Sequence, residues 1–214
     1  MGELLDLILP HTCGGCGRAG TNWCAECAAA LAGPPIRIRP RADPGVPCWA
    51  LAPYRGPARR AVLAVKECRR RDLTSPLGIG LARGLDHLRD TARPLILVPA
   101  PSRRAAARQR GGDPVARSAH VAASWLPGCR SIRTLRLRPG VRDSVGLGHR
   151  DRQHNLRGRI MVSTARPIAA LFPANAEVVL VDDVLTTGVT MRESVRALRD
   201  AGVTVRAALV TCAA

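Results

Sequence analysis

Residues 178–190 read VVLVDDVLTTGVT, and this stretch decides the fold. Val178, Val179, Leu180 and Val181 form an unbroken apolar run, the pattern of a parallel strand covered on both faces. Asp182 and Asp183 are expected where that strand ends. In open α/β sheets, ligands collect at the carboxyl ends of strands. Thr186, Thr187, Gly188, Val189 and Thr190 then make a small, hydroxyl-rich turn. Met191, Val195 and Leu198 recur at helical spacing, and Gly202 fits the stop that follows a helix.

Each part has its own chemical use. Two adjacent carboxylates accept hydrogen bonds from a pair of sugar hydroxyls, and they also suit a hard cation such as magnesium. The turn offers backbone N–H groups and hydroxyls to an anion, and Gly188 lets the backbone come close. The positive end of the following helix faces the same anion. Together they describe a pocket for a phosphorylated sugar. A plainer reading is that Thr190 and Glu193 form an ordinary capping box. That leaves the acidic pair and the Thr-Thr-Gly turn unexplained. A third reading, the acidic strand of an ATPase, requires a GxxxxGK[ST] loop. The chain has one lysine, Lys66, preceded by Val-Leu-Ala-Val, so that loop is missing.

The stretch resembles the phosphoribosyl pyrophosphate-binding motif of type I phosphoribosyltransferases. The resemblance implies that Asp182 and Asp183 meet the ribose hydroxyls at the catalytic centre. It implies that residues 186–190 hold the 5′-phosphate.

A chain of 214 residues is long enough for one well-buried domain and a small appendage. It lacks a run of about eighteen apolar residues, so no membrane span is expected. The opening MGELLDLILP carries acidic residues and no basic flank, which makes a poor signal peptide. Its leucines are expected to form a short helix packed on the body, and the expected compartment is the cytoplasm. Lys+Arg number 33 against 16 Asp+Glu, a net charge of +17 that favours polyanionic partners such as nucleic acid or a diphosphate. Nearly all the basic residues are arginine, so a codon preference also accounts for part of the excess. Aromatic residues are 2%, too few for a row of rings on which bases stack.

Cys13, Cys16, Cys24 and Cys27 are spaced C-x2-C-x7-C-x2-C. Two such pairs close a tetrahedral thiolate site, with Gly14, Gly15 and Gly17 supplying the tight knuckle. Two disulfides are the reading for a secreted chain. With no export signal and a reducing cytoplasm, structural zinc is favoured. A redox role for one CxxC is the runner-up. His11 lies nearby, but four thiolates already fill such a site. The metal would fold a segment too short for a core of its own.

The expected organisation is a short helix and zinc ribbon over residues 1–32, a Pro/Gly/Arg-rich linker over 33–47, and an α/β domain over 48–214. In that domain strands and helices alternate, which implies a mainly parallel sheet flanked by helices. Strands are predicted at 48–54, 95–98, 132–137, 178–181 and 203–210. Helices are predicted at 57–70, 77–88 and 115–126.

Two further segments carry chemistry. Residues 98–114, VPAPSRRAAARQRGGDP, leave a strand through two prolines and bring Ser102, Arg103 and Arg104 to a loop tip. Guanidinium groups at a strand's carboxyl end suit a diphosphate, although a solvated basic loop has the same composition. Residues 142–160, RDSVGLGHRDRQHNLRGRI, read as a lid that closes over the site, with Gly148, His149, Arg150, Asn155 and Arg157. A nucleic-acid contact strip or an exposed helix around residues 150–156 fits the same residues.

Taken together, these features resemble the ComF-type competence family, which joins an amino-terminal zinc ribbon to a phosphoribosyltransferase domain. The resemblance rests on the CxxC pairs, YRGPARRAVLAVK at residues 54–66, the VPAPSRR loop, GLGHRDRQHNLRG and the terminal motif, in the family's order. One departure is visible: an RGFNQ-like string is replaced by Arg110-Gly111-Gly112-Asp113-Pro114. The resemblance implies binding of phosphoribosyl pyrophosphate with magnesium, transfer of phosphoribosyl to an unknown acceptor, and a role in DNA uptake. The alternative is a non-catalytic module that binds single-stranded DNA, or docks a partner such as a DNA-uptake helicase, and uses the pocket as a sensor.

Overall fold

A computed structural model describes residues 12–102, 112–138 and 156–214. The predicted amino-terminal helix and His11 lie outside these residues. The sheet strands are β1 (Ile36–Ile38), β2 (Cys48–Pro53), β3 (Leu95–Pro99), β4 (Cys129–Ser131), β7 (Glu177–Leu185) and β8 (Ala207–Ala213). They are ordered β1-β2-β8-β7-β3-β4. Only β1 runs antiparallel; every other neighbouring pair is parallel. The predicted fold class, a mainly parallel α/β sheet flanked by helices, is what the chain forms.

Strand alternation divides the core in two. Val179, Val181, Leu95, Leu97 and Leu209 are buried on one face under α2 (Gly56–Glu67), α3 (Thr74–Asp86) and α4 (Pro114–Trp125). Val178, Leu180, Ile96, Val98 and Val210 are buried on the other, under α6 (Val189–Asp200). Burial on both faces is why β3 and β7 read as continuous apolar runs rather than alternating ones. Helix α6 stops as predicted: Gly202 has a φ of 80°, and the Val203 N–H reaches back to the Leu198 carbonyl at 2.9 Å.

Several elements differ from expectation. The strand predicted at 178–181 runs on to Leu185, because β8 continues to pair with it through Leu185↔Ala213. Residues 132–137 are not one strand. β4 joins the main sheet, and β5 (Leu135–Leu137) pairs antiparallel with β6 (Ile160–Val162) in a separate two-stranded ribbon. Within the segment read as a linker, Ile36–Ile38 forms an edge strand on β2. Short helices also form at Ala25–Ala29 (α1) and Ile168–Leu171 (α5). Three-residue strands and single helical turns carry too few residues for a periodic signal.

The cysteine segment packs on the body. Leu73, at the turn between α2 and α3, is fully buried, and Gly14 lies so close that a Cβ there would sit 2.4 Å from its Cδ1. Arg70 donates to the Thr12 carbonyl at 3.0 Å, and Trp23 and Leu31 join the core under α3. Among the described residues, no helix is long and apolar enough to cross a membrane.

Candidate functional site

The site forms where β3 and β7 part. The last register pair between them is Pro99↔Val181, and the Ala100 N–H donates to the Val181 carbonyl at 2.8 Å. Beyond that bond β3 leaves the sheet, while residues 182–185 stay paired to β8 alone. Asp182 and Asp183 therefore lie on a strand with one open flank. They sit inside β7 rather than after it, and the parting of β3 supplies the crevice that the sequence placed at a strand end.

Asp183 follows the alternation of Val179 and Val181 and so faces α2. There Lys66, in the last turn of α2, donates from Nζ to Asp183 Oδ1 at 2.8 Å. Val62 and Val65 are buried against the sheet and hold that helix face in place. Asp182 is turned towards its neighbour: its Oδ1 accepts the Asp183 backbone N–H at 2.8 Å. Burial, and then the adjacent Asp183 carboxylate, push the Asp182 carboxyl up to about 8. For Lys66, burial opposes the charge. The Asp183 and Asp182 carboxylates outweigh it and hold the ammonium above its ordinary value.

Residues 186–188 form the turn, and α6 begins at Val189. Gly188 is the N-cap at φ 85°, a conformation that favours glycine, and its carbonyl accepts the Arg192 N–H at 2.9 Å. It offers no side-chain cap, so the first N–H groups of the helix lack an intrahelical partner. The capping-box reading of Thr190 and Glu193 does not hold. Glu193 is buried and accepts the Gly158 N–H at 2.9 Å and Arg196 Nε at 3.1 Å. A strap from residues 40–42 lies on the turn: the Ala42 N–H donates to the Thr187 carbonyl at 2.8 Å. A Cβ on Gly188 would stand 2.5 Å from the Ala42 carbonyl oxygen and 2.6 Å from Pro40 Cβ. Ala42, Leu156 and Val189 share a small apolar cluster, so the strap, the end of the predicted lid and the start of α6 meet.

Ser102 lies at the mouth of a cleft of about 360 Å³ lined by Pro99, Ala100, Pro101, Asp113, Arg133 and the residues of β5. Its hydroxyl donates to Asp113 Oδ2 at 2.8 Å. Asp113 also caps α4, accepting the Ala116 N–H at 3.2 Å, with Pro114 in the first turn. Asp113 and Pro114 thus have a local use: they start α4, and Asp113 fixes Ser102. Arg103 and Arg104 lie outside the described residues, as do Gly148, His149, Arg150 and Asn155. Arg157 is exposed in the turn that leads into β6.

The cysteine cluster assembles as its spacing predicts. The Sγ atoms of Cys13, Cys16, Cys24 and Cys27 all lie within 4.8 Å of one another. Zinc–sulfur bonds of about 2.3 Å set tetrahedral sulfurs about 3.8 Å apart, so the four thiols fit a structural metal ion. Gly15 is needed here, because a Cβ would approach Cys27 Sγ to 2.5 Å. Burial works against a thiolate at Cys13. N–H groups of Cys16, Cys24 and Gly15 overcome it and draw that thiol down to about 6. Burial and the neighbouring thiols push Cys27 up.

Lys66 is the site residue that the motif reading missed. Its signal was compositional: one lysine in a chain whose other basic residues, among 33, are all arginine.

A family model described as Phosphoribosyl transferase domain matches residues 150–213. The match spans β6, α5, β7, α6 and β8, and so contains the acidic pair and the turn. No curated protein matches the chain. The carboxyl-terminal part is phosphoribosyltransferase-like, and the cysteine cluster precedes it as a candidate metal centre.

Proposed function

We propose that the protein binds phosphoribosyl pyrophosphate at the parting of β3 and β7 and acts as a phosphoribosyltransferase. The observation that carries the reading is the junction of the acidic pair with an uncapped helix start, across the Thr186–Thr187–Gly188 turn. Asp182 and Asp183 receive the two ribose hydroxyls. Backbone N–H groups and hydroxyls of residues 186–190 receive the 5′-phosphate, aided by the α6 dipole. Ser102, with Arg103 and Arg104 from the same loop, receives the diphosphate.

In the transfer, the bond from the anomeric carbon to the pyrophosphate oxygen breaks and its electron pair leaves with pyrophosphate. An acceptor lone pair forms the new bond to that carbon. Positive charge grows on the sugar beside the carboxylates, and negative charge on the leaving group beside the arginines. The lid residues Gly148, His149, Arg150, Asn155 and Arg157 keep water from taking the acceptor's place. A magnesium ion brought by the substrate diphosphate would supply Lewis-acid neutralisation of the leaving group, beside Ser102, Arg103 and Arg104.

Zinc is the metal assigned to Cys13, Cys16, Cys24 and Cys27. The division into a ribbon (1–32), a linker (33–47) and a transferase-like domain (48–214) rests on the cysteine spacing and the Pro/Gly/Arg-rich composition between; a cytoplasmic setting would keep the four thiols reduced, and a role in DNA uptake rests on the ComF-type resemblance. A second reading is favoured by the net charge of +17. In it the pocket senses the sugar diphosphate, while the arginines bind single-stranded DNA or the ribbon docks a helicase.

The test is calorimetric titration with phosphoribosyl pyrophosphate, followed by pyrophosphate release against bases, amines and DNA. Binding with steady release for one acceptor supports the enzyme. Binding with no release across the panel supports the sensor. Undiminished binding by Asp182→Asn/Asp183→Asn removes the site assignment.

A further inference from the structure

We propose that Lys66 is the resident cation of the acidic pair: its ammonium stands where a divalent metal would otherwise sit, so the carboxylates receive a sugar diol without one. The proposal deepens the function above and rests on it only for the identity of the diol.

The geometry carries the argument. Asp183 Oδ1 is committed to Lys66 Nζ at 2.8 Å, and Asp182 Oδ1 to the Asp183 N–H at 2.8 Å. Among the described residues, each carboxylate keeps its second oxygen for a ligand. Two acceptors on consecutive residues match two adjacent sugar hydroxyls. A magnesium ion demands a near-octahedral set of oxygens and draws on carboxylates that are otherwise uncommitted. Here a positive charge already lies within hydrogen-bond distance of Asp183, and a like charge beside it is repelled. Two carboxylates and one ammonium carry a net charge of −1 at most, enough to orient hydroxyl donors and poor for a dication.

The residue type fits the role. An arginine fork would pair with both oxygens of Asp183 and leave none for a diol. A lysine ammonium is a compact point charge on a flexible stem, with no planar fork to engage both oxygens, and here it holds one. In a chain with a single lysine among 33 basic residues, that lysine lies on the acidic pair. Its side chain is 37% exposed and that of Asp183 20% exposed, so both remain open to a ligand. Lys66 is a positioning residue: it fixes the orientation of Asp183 and excludes metal from it.

A single lysine also makes the idea directly measurable. Untagged protein with its cysteine cluster metal-loaded and its lysine labelled with ¹³C at Cε gives one side-chain resonance. Manganese(II) is added without any sugar. We expect the Lys66 line to stay sharp. Loss of the line at substoichiometric manganese would place the metal on the acidic pair and overturn the proposal. Electron paramagnetic resonance of Lys66→Met should then show manganese affinity at least tenfold above wild type, with Lys66→Arg unchanged from wild type. A Lys66→Met protein that binds manganese no better than wild type also overturns it. Metal-free phosphoribosyl pyrophosphate, added last, should shift the Lys66 line. No shift would count against the sugar site and leave the metal exclusion standing.

Discussion

Gly188→Ala tests how the proposed phosphate-binding turn is built. Gly188 holds a left-handed φ of 85°, which costs a residue with a Cβ about 1–2 kcal/mol. The new Cβ would also stand 2.5 Å from the Ala42 carbonyl oxygen, inside any real contact distance. The strap must therefore move, and the 2.8 Å bond from the Ala42 N–H to the Thr187 carbonyl is strained or lost. Losing such a bond costs about 0.5–1.5 kcal/mol. The sum is about 1.5–3.5 kcal/mol. For a chain of this size each kcal/mol lowers Tm by about 2–4 °C, so a fall of about 3–14 °C is expected. Differential scanning calorimetry measures it, with the sugar diphosphate titrated into the folded mutant below its transition. Affinity should fall too, because the N–H groups of the turn no longer converge. A mutant with unchanged Tm and affinity would refute both the left-handed turn and the strap's role in holding it.

Three other outcomes follow from the same geometry. Asp182 holds its proton up to about 8 when folded, against 3.8 ordinarily. Between those values the folded chain binds the extra proton, so stability drops as pH rises and levels off above about 8. Asp182→Asn should remove that slope and gain on the order of 2 kcal/mol near neutrality, by urea melts at several pH values; parallel curves for both proteins would contradict it. Glu193→Ala leaves the Gly158 N–H and the Arg196 guanidinium without their buried acceptor, at about 1–3 kcal/mol, and hydrogen exchange at Gly158 should quicken at least tenfold. Exchange at the wild-type rate would show that the anchor does nothing. Stripping metal from the cysteine cluster should release one zinc per chain and unfold the ribbon, shifting the emission of Trp23, which packs on it. A chain that yields no zinc, or keeps its fluorescence after chelation, would show that no structural metal is held there.

Much of this architecture was legible because the sheet is covered on both sides. Apolar runs at β3 and β7 and the 3.6-residue pattern of Met191, Val195 and Leu198 followed from burial alone. The cysteine spacing was equally direct, since two CxxC knuckles leave few other uses for the thiols. What the sequence hid was long-range. Nothing local says that β7 continues through Leu185, because that depends on β8 pairing after β3 has left. The Lys66–Asp183 bond spans 117 residues in the chain, beyond any spacing rule. Glu193 sits three residues after Thr190 and so imitates a capping box, yet its carboxylate is claimed by Gly158 and Arg196. The strap over Gly188 was hidden for the same reason: a Pro/Gly/Arg-rich segment reads as a linker until its Ala42 is seen bonded to Thr187.

The most direct measurement is an experimental structure with phosphoribosyl pyrophosphate bound. Density for the pentose is expected between β3 and β7, with its two hydroxyls within hydrogen-bond distance of Asp182 and Asp183 and its 5′-phosphate against the N–H groups that open α6. Density for the sugar elsewhere, or a crevice closed by packed side chains at saturating ligand, would contradict that placement.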